Sequence, residues 1–170
     1  LEEIGSLNHV GDEVSLQAII NADTRPLVDR DEFLCKWIAA LKSMDSDESH
    51  RHWRRWWRPL LREAVVLQNG LDGLAELARE SGDVHPEAYH EWVVKLWESG
   101  DLSSAMSAAK EGVERITGDG PKARLADALA SMAARTGDSA LAIAARQRAW
   151  RANPTLRRLL SYCSEGSPDR

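Results

Sequence analysis

Apolar residues recur every three or four positions through most of the chain, and Gly, Pro or short acidic runs interrupt them. This spacing is typical of amphipathic helices that bury one side. The pattern predicts helices over 12–22, 30–43, 86–99, 102–117, 121–136 and 155–162, with others starting near His50, running from Leu71 to about Gly82, and ending at Asn153. Residues 1–11 have no sustained period, so a lead-in segment is expected there.

One spacing occurs three times: a glycine, an alanine five residues later, and a glycine or alanine seven residues after that. The copies are Gly70, Ala75 and Gly82; Gly100, Ala105 and Gly112; and Gly137, Ala142 and Ala149, so the first glycines lie 30 and 37 residues apart. Each first glycine suits a left-handed helix end, and each alanine suits close approach of two backbones. Such periods are typical of stacked hairpins. We expect an all-α fold, a right-handed α-solenoid of stacked antiparallel helical hairpins.

The last two hairpins resemble the tetratricopeptide repeat family. The residues that match its large, Gly, Ala, Ala and Pro positions are Leu129, Gly137, Ala142, Ala149 and Pro154, preceded one hairpin earlier by Trp92, Gly100, Ala105 and Gly112. The match covers about half of the chain. It departs from the family where Arg146 and Ala109 replace the aromatic residue of the second helix, and where Gly112 replaces an alanine.

This resemblance implies a concave groove, lined by the first helix of each hairpin, that receives an extended or helical peptide. The residues at the matching positions are Glu87, His90, Val94, Trp97, Arg124, Asp127 and Ser131. A Trp beside polar groups is typical of an interface anchor; the alternative is that Trp97 packs between neighbouring hairpins. The closing run 149–156 is also similar to the helical region that follows SWIM-type zinc fingers in bacterial proteins, although this chain lacks the ligands of the finger.

The helix that starts near His50 is rich in both Trp and Arg. A helical wheel gathers Trp53, Trp56 and Trp57 on one side and Arg51, Arg55, Arg58 and Arg62 on the other. Base stacking with phosphate binding needs aromatic and basic groups side by side, so the wheel favours buried Trp and a solvated Arg ridge. The alternative is a nucleic-acid-associated module in which this ridge acts with Arg146, Arg148, Arg151, Arg157 and Arg158. Pro59 predicts a kink or a restart of the helix.

Charge divides the chain unevenly. Residues 1–49 carry 11 acids against 4 Lys and Arg, whereas residues 50–170 carry 16 acids against 18 bases, which together give the net charge of -5. Asp45 to Ser49 predicts a loop at the junction. We expect an acidic amino-terminal helical pair over 1–49, helical-hairpin repeats over 50–163 in which the last helix caps the stack through Leu156, Leu159 and Leu160, and a disordered tail over 164–170.

The cysteines and the lengths of the apolar runs indicate the cellular compartment of the chain. The two cysteines, Cys35 and Cys163, fall in helical stretches, so buried or half-buried free thiols in a reducing compartment are expected. No apolar run has the roughly 18 residues that a membrane span needs. The sequence therefore predicts a cytoplasmic protein with no membrane partner. Because it starts at Leu1, we expect a processed chain or a fragment of a longer one.

Catalytic and metal signals are weak. His50 and His52 are two residues apart, and His85 and His90 are five apart, so neither pair has the i, i+4 spacing of two metal ligands on one helix face. The run 118–121 lacks the lysine of a phosphate loop. We expect a non-catalytic protein-interaction or scaffold module without cofactor or metal, part of a larger protein or complex. A regulatory helical arm of a larger enzyme is a further alternative.

Overall fold

The computed structural model describes residues 15–22, 29–46, 52 and 54–165. In these ranges the chain forms α-helices and no strand, which confirms the predicted all-α class. The helices are α1 Leu16–Ala22, α2 Arg30–Ser46, α3 Arg54–Ser81, α4 Pro86–Glu98, α5 Leu102–Arg115, α6 Asp119–Arg135, α7 Ser139–Ala152 and α8 Leu156–Glu165. The contacts divide the chain into two compact units between Gln68 and Asn69. The separate amino-terminal pair over 1–49 stays a prediction.

Two helices run further than the sequence pattern predicts. Helix α2 continues through Asp45, where a loop was expected, because Arg54 donates to the Asp45 carbonyl oxygen at 3.1 Å. This bond gives a partner to one of the last carbonyl groups of α2. Helix α8 continues to Glu165. The predicted start of α1 at Asp12 and most of the predicted tail lie outside the described residues.

The first unit packs α1, α2 and the first part of α3 around a small core. Leu16, Leu34 and Ala64 are buried there, with Trp37 and Ile38 packed against them. Glu63 of α3 closes the start of α1, because its carboxylate accepts the backbone N–H groups of Leu16 at 2.9 Å and Gln17 at 3.0 Å and also the Ser15 hydroxyl. A carboxylate at a helix N-terminus satisfies donors that have no intrahelical acceptor.

Helix α3 breaks at Gly70 and not at Pro59. Gly70 has φ 64° and ψ −150°, which a residue with a Cβ adopts only at a cost, whereas helical geometry continues through Pro59. Pro59 lies in the second turn of α3, so it removes a single early hydrogen bond. The predicted restart at Pro59 is therefore wrong, the predicted kink there stays a prediction, and the predicted glycine boundary interrupts the helix.

In the second unit, two turns repeat the same hydrogen bonds. Gly100 and Gly137 have φ 86° and 78°, and the aspartate after each glycine accepts a backbone N–H three residues on at 3.0 Å. At each turn, the backbone N–H of the aspartate donates to the carbonyl oxygen five residues earlier, and the backbone N–H of the glycine donates to the carbonyl oxygen three residues earlier. This is a Schellman end followed directly by an aspartate N-cap. The predicted left-handed helix ends at these glycines are confirmed.

The small residues of the repeated spacing lie where helices approach closely. The alanines Ala75, Ala105 and Ala142 are buried. A Cβ on Gly82 would lie 2.9 Å from the ring of Tyr89, and a Cβ on Gly112 would lie 2.7 Å from Leu125. Tyr89 is fully buried, so neither neighbour of its ring has room for a larger residue.

Helices α4 to α8 each pack on the next one along the chain, and α4 also packs on α6. The side-chain hydrogen bonds between Arg79 and Glu111, Thr117 and Asp83, Arg124 and Glu87, and Arg158 and Asp127 join residues 32, 34, 37 and 31 positions apart. These separations range from 31 to 37 residues, and the glycines of the repeated spacing lie 30 and 37 residues apart. Other side-chain hydrogen bonds between helices span fewer residues, 22 for Tyr89 with Glu111 and 15 for Gln147 with Tyr162.

Candidate functional site

The residues predicted to line a groove lie on α4 and α6, which are neighbours. Six of them, Glu87, His90, Val94, Trp97, Asp127 and Ser131, are half-buried, and Arg124 is exposed. Arg124 Nη2 lies 3.3 Å from Glu87 Oε1, so predicted residues from both helices are in contact. We name the surface that these seven residues form the α4–α6 face.

Polar contacts connect both ends of the α4–α6 face. Glu87 and Arg124 pair near the starts of the two helices, and the Arg135 guanidinium lies 5.3 Å from the Trp97 ring centroid near their ends. One contact joins the N-terminal parts of α4 and α6 and the other joins their C-terminal ends, so the two helices run parallel. A cation over an indole face is attracted by the ring quadrupole. Trp97 therefore keeps one ring face against Arg135 and remains half-buried.

Asp127 serves contacts inside the fold. Its carboxylate accepts from Arg158 Nε at 2.8 Å, and Arg146 Nη1 lies 3.7 Å away. Arg158 also donates to the Asn153 carbonyl oxygen at 3.0 Å. The Ser131 hydroxyl donates to the Asp127 backbone carbonyl at 3.0 Å. The Asp127 carboxylate therefore holds α7 and α8, whereas the Ser131 hydroxyl bonds only within α6, and Glu87, Arg124 and Trp97 are better placed to meet a partner.

A second cluster of polar side chains surrounds the Glu111 carboxylate and was not predicted from the sequence. Arg79 donates two hydrogen bonds to the Glu111 carboxylate at 2.9 and 3.0 Å, and the Tyr89 hydroxyl donates a third at 3.0 Å. Arg115 Nε lies 3.4 Å from the same carboxylate. The 32-residue separation of Arg79 and Glu111 is the signal that could have paired them.

Electrostatics within this cluster follow from burial and pairing. Hydrogen bonding to Arg79 is the main reason that the pKa of Glu111 lies below its usual value. Burial, followed by the bond to Glu111, raises the pKa of Tyr89 to about 12. A phenol with so high a pKa stays protonated and donates its hydrogen bond at neutral pH. The cluster thus ties α3 and α4 to α5 and offers no acid or base suited to catalysis near neutrality.

The predicted separation of Trp and Arg faces on α3 is wrong at Trp56. Trp57 is buried, but 54% of Trp56 is exposed, with the Arg55 guanidinium 5.0 Å from its ring centroid. The buried stripe of α3 is centred on Trp57 and Leu61, so Trp56, one position away, turns out of it. Arg51 and Trp53 lie outside the described residues.

The Arg ridge of α3 is also divided in the structure. Arg58 is half-buried and donates to Asp45 at 3.1 Å, so it is not a solvated residue of the ridge. Arg55, beside the exposed Trp56, is the described member that most resembles a nucleic-acid contact.

The leucines of α8 do not pack as a cap. Leu156, Leu159 and Leu160 are exposed by 73%, 37% and 60%, which corrects the predicted inward orientation. The opposite side of α8 packs instead, through Arg158 on Asp127 and through Tyr162, whose hydroxyl accepts from Gln147 at 3.4 Å. Both cysteines are also exposed, so the expectation of buried or half-buried thiols is wrong.

In the described ranges, no group of three or more His, Cys, Asp and Glu side chains is placed to hold a metal ion. None of the helices in the same ranges has the length and apolar character needed to cross a bilayer. Comparison with protein-family models, with curated proteins and with solved structures finds no match to this chain.

Proposed function

We propose that this chain is a protein-interaction or scaffold module whose second unit is an array of stacked helical hairpins like the tetratricopeptide repeat. In this proposal the α4–α6 face receives a peptide segment of a protein partner, with Trp97 as its anchor. We further propose that the module works in the cytoplasm within a larger protein or complex. An array of this kind acts by presenting a rigid surface to a partner.

The observation that carries this proposal is the contact between Glu87 and Arg124. It brings predicted residues from two successive hairpins onto one surface, at a separation of 37 residues. The matching turns at Gly100 and Gly137 support a repeated hairpin. A half-buried Trp97 beside the Arg135 guanidinium supports an interface anchor, since Trp and Arg dominate the energy of protein interfaces.

A second candidate function rests on Trp56 and Arg55. Their side-by-side arrangement on an exposed surface is the one that base stacking with phosphate binding requires. Against it, Asp45 lies beside Arg54 and Arg58 and reduces the positive charge available from α3. We therefore rank nucleic-acid binding below protein binding.

Retention of a partner on the immobilised full chain tests the two candidates together. Trp97→Ala and Arg124→Glu are compared with Trp56→Ala, which removes an indole that also carries an arginine over its ring. The proposal predicts a protein partner that stays bound at high salt, is lost with Trp97→Ala and Arg124→Glu, and is retained by Trp56→Ala. Phosphate contacts weaken steeply with salt. Nucleic acid that is lost at high salt and with Trp56→Ala would overturn the proposal.

A further inference from the structure

A cleft of about 370 Å³ opens where the C-terminal ends of α5 and α7 lie beside the N-terminal end of α6. Five of the side chains that line it are charged: Glu114, Asp119, Lys122, Arg148 and Arg151. With three cations and two carboxylates, the cleft has a net formal charge of +1. We name it the basic cleft.

The three cations of the basic cleft form no ion pair within the part of the chain that the structure describes, although Glu114 and Asp119 also line the cleft. Lys122, Arg148 and Arg151 form no ion pair with any described residue, whereas Arg124, Arg146 and Arg158 pair with Glu87 or Asp127. Lys122 is half-buried, and Arg148 and Arg151 are exposed. Like charges that converge on one cleft repel each other. An anion bound among them would relieve that repulsion.

A corresponding cleft lies one period earlier and is neutralised from within. It has a volume of about 550 Å³ and is lined by Arg79, Tyr89 and Arg115, among others. Both arginines are paired with the Glu111 carboxylate, Arg79 through two hydrogen bonds and Arg115 at 3.4 Å. That cleft needs no external anion.

The repeat explains why the two clefts differ. Gly112 and Ala149 are equivalent in the repeated spacing and lie 37 residues apart. By the same offset, Glu111 corresponds to Arg148, and Glu114 corresponds to Arg151. The position that supplies the neutralising carboxylate in α5 therefore carries a cation in α7.

We propose that the basic cleft binds a phosphate monoester group. A monoester is close to a dianion at neutral pH and has three strong acceptor oxygens, which suit two guanidinium groups and an ammonium group. The first turn of α6 adds the backbone N–H groups of Asp119 and Gly120, which have no intrahelical acceptor; Pro121 has no N–H, and the Lys122 N–H already donates to the Gly118 carbonyl oxygen at 3.0 Å. The cleft has room for a phosphate with part of its ester substituent. This inference does not depend on the proposed partner of the α4–α6 face.

The test is a titration of the ¹⁵N-labelled full chain at pH 7.5 and constant ionic strength, followed through the amide signals of Asp119, Gly120 and Lys122 and the Arg side-chain N–H signals. The probes are inorganic phosphate, O-phosphoserine and a six-nucleotide deoxythymidine strand, which carries only diesters. The variant is Arg148→Gln with Arg151→Gln. Lys110→Gln is the matched control, because Lys110 is exposed on α5 and lies outside the lining of the cleft.

We expect saturable shifts with phosphoserine, weakened about tenfold or more in the double variant and unchanged in the control, as for charge-assisted hydrogen bonds. Inorganic phosphate should bind as well, because it presents the same acceptor oxygens. Four results overturn the proposal: the absence of saturable shifts, saturation by inorganic phosphate but not by phosphoserine, equal affinity in the double variant, and tighter binding of the oligonucleotide than of phosphoserine.

Discussion

At the scale of single residues, left-handed glycines follow the ends of two helices of the second unit, α4 and α6. Gly100 and Gly137 have positive φ, and nothing lies within 4 Å of a Cβ placed on either one. A substitution there therefore tests backbone conformation without introducing a clash. The cost arises because a Cβ meets the following carbonyl oxygen in the left-handed region.

We expect Gly100→Ala and Gly137→Ala each to lower the free energy of unfolding by about 1–2 kcal/mol. Gly100→Asn is the matched control, because Asn adopts the left-handed region more readily than other residues that carry a Cβ. This control should lose less stability than Gly100→Ala, since it adds a Cβ but tolerates positive φ. Urea unfolding followed by circular dichroism measures all three. Equal losses in the control would contradict the role of positive φ.

The cluster at Glu111 makes stability depend on pH. The pKa of Glu111 is lower in the folded chain than in the unfolded chain, so its contribution is present above the unfolded value and is lost as pH falls through the folded value. Glu111→Gln should destabilise the chain by about 1 kcal/mol at pH 7 and by much less near pH 3.

Urea unfolding at both pH values measures this difference. Glu76→Gln is the control, because Glu76 is exposed on α3 and has no ion pair among the described residues. If Glu111→Gln lowers the free energy of unfolding equally at pH 3 and pH 7, the loss does not come from the charge of Glu111, which contradicts this prediction.

At the scale of elements, the sequence predicts the positions of the helices better than it predicts which side of each helix is buried. The Gly and Ala positions of the repeated spacing could be predicted because turn geometry and close packing restrict the residue directly. The orientation of α8 could not, since its leucine stripe predicts a buried face while a distant residue, Asp127, holds the opposite side through Arg158. The Tyr89 and Glu111 contact was hidden for the same reason, because its partners lie 22 residues apart.

Helix α8 gives a direct test of that orientation. Leu156→Ser with Leu160→Ser should change the free energy of unfolding by less than about 0.5 kcal/mol, because both side chains are exposed. Arg158→Ala should instead increase amide hydrogen exchange throughout α8, because it removes the bonds to Asp127 and Asn153. Unfolding of α8 in the double serine variant, together with unchanged hydrogen exchange in Arg158→Ala, would contradict the exposed orientation of these leucines.

At the scale of the whole molecule, the chain consists of two compact units that divide between Gln68 and Asn69. The second unit has a core of its own, in which Tyr89, Leu125, Leu129 and Met132 are fully buried. We therefore expect residues 69–170 to fold alone and to unfold cooperatively in urea, with the helical circular dichroism of α4 to α8. A gradual transition without a folded baseline would contradict an independent second unit.

The candidate site was predictable only in part at this scale. A resemblance to repeat proteins placed Glu87, Arg124 and Trp97 on one surface, and α4 and α6 do lie side by side. It did not place Asp127 in contact with α7 and α8, because that contact depends on Arg146 and Arg158, which the sequence assigned to a basic surface. Charge patterns indicate which residues attract, but only packing determines which of them meet.

The most direct test of the account is photo-crosslinking from the α4–α6 face in living cells. A benzophenone amino acid replaces Val94, which is half-buried on α4 in the α4–α6 face, or Lys110, which is exposed on α5, as the control. We predict a discrete protein adduct from position 94 that disappears with Trp97→Ala, and no such adduct from position 110. Equal adducts from both positions, or an adduct at 94 that survives Trp97→Ala, would contradict the α4–α6 face as the binding surface.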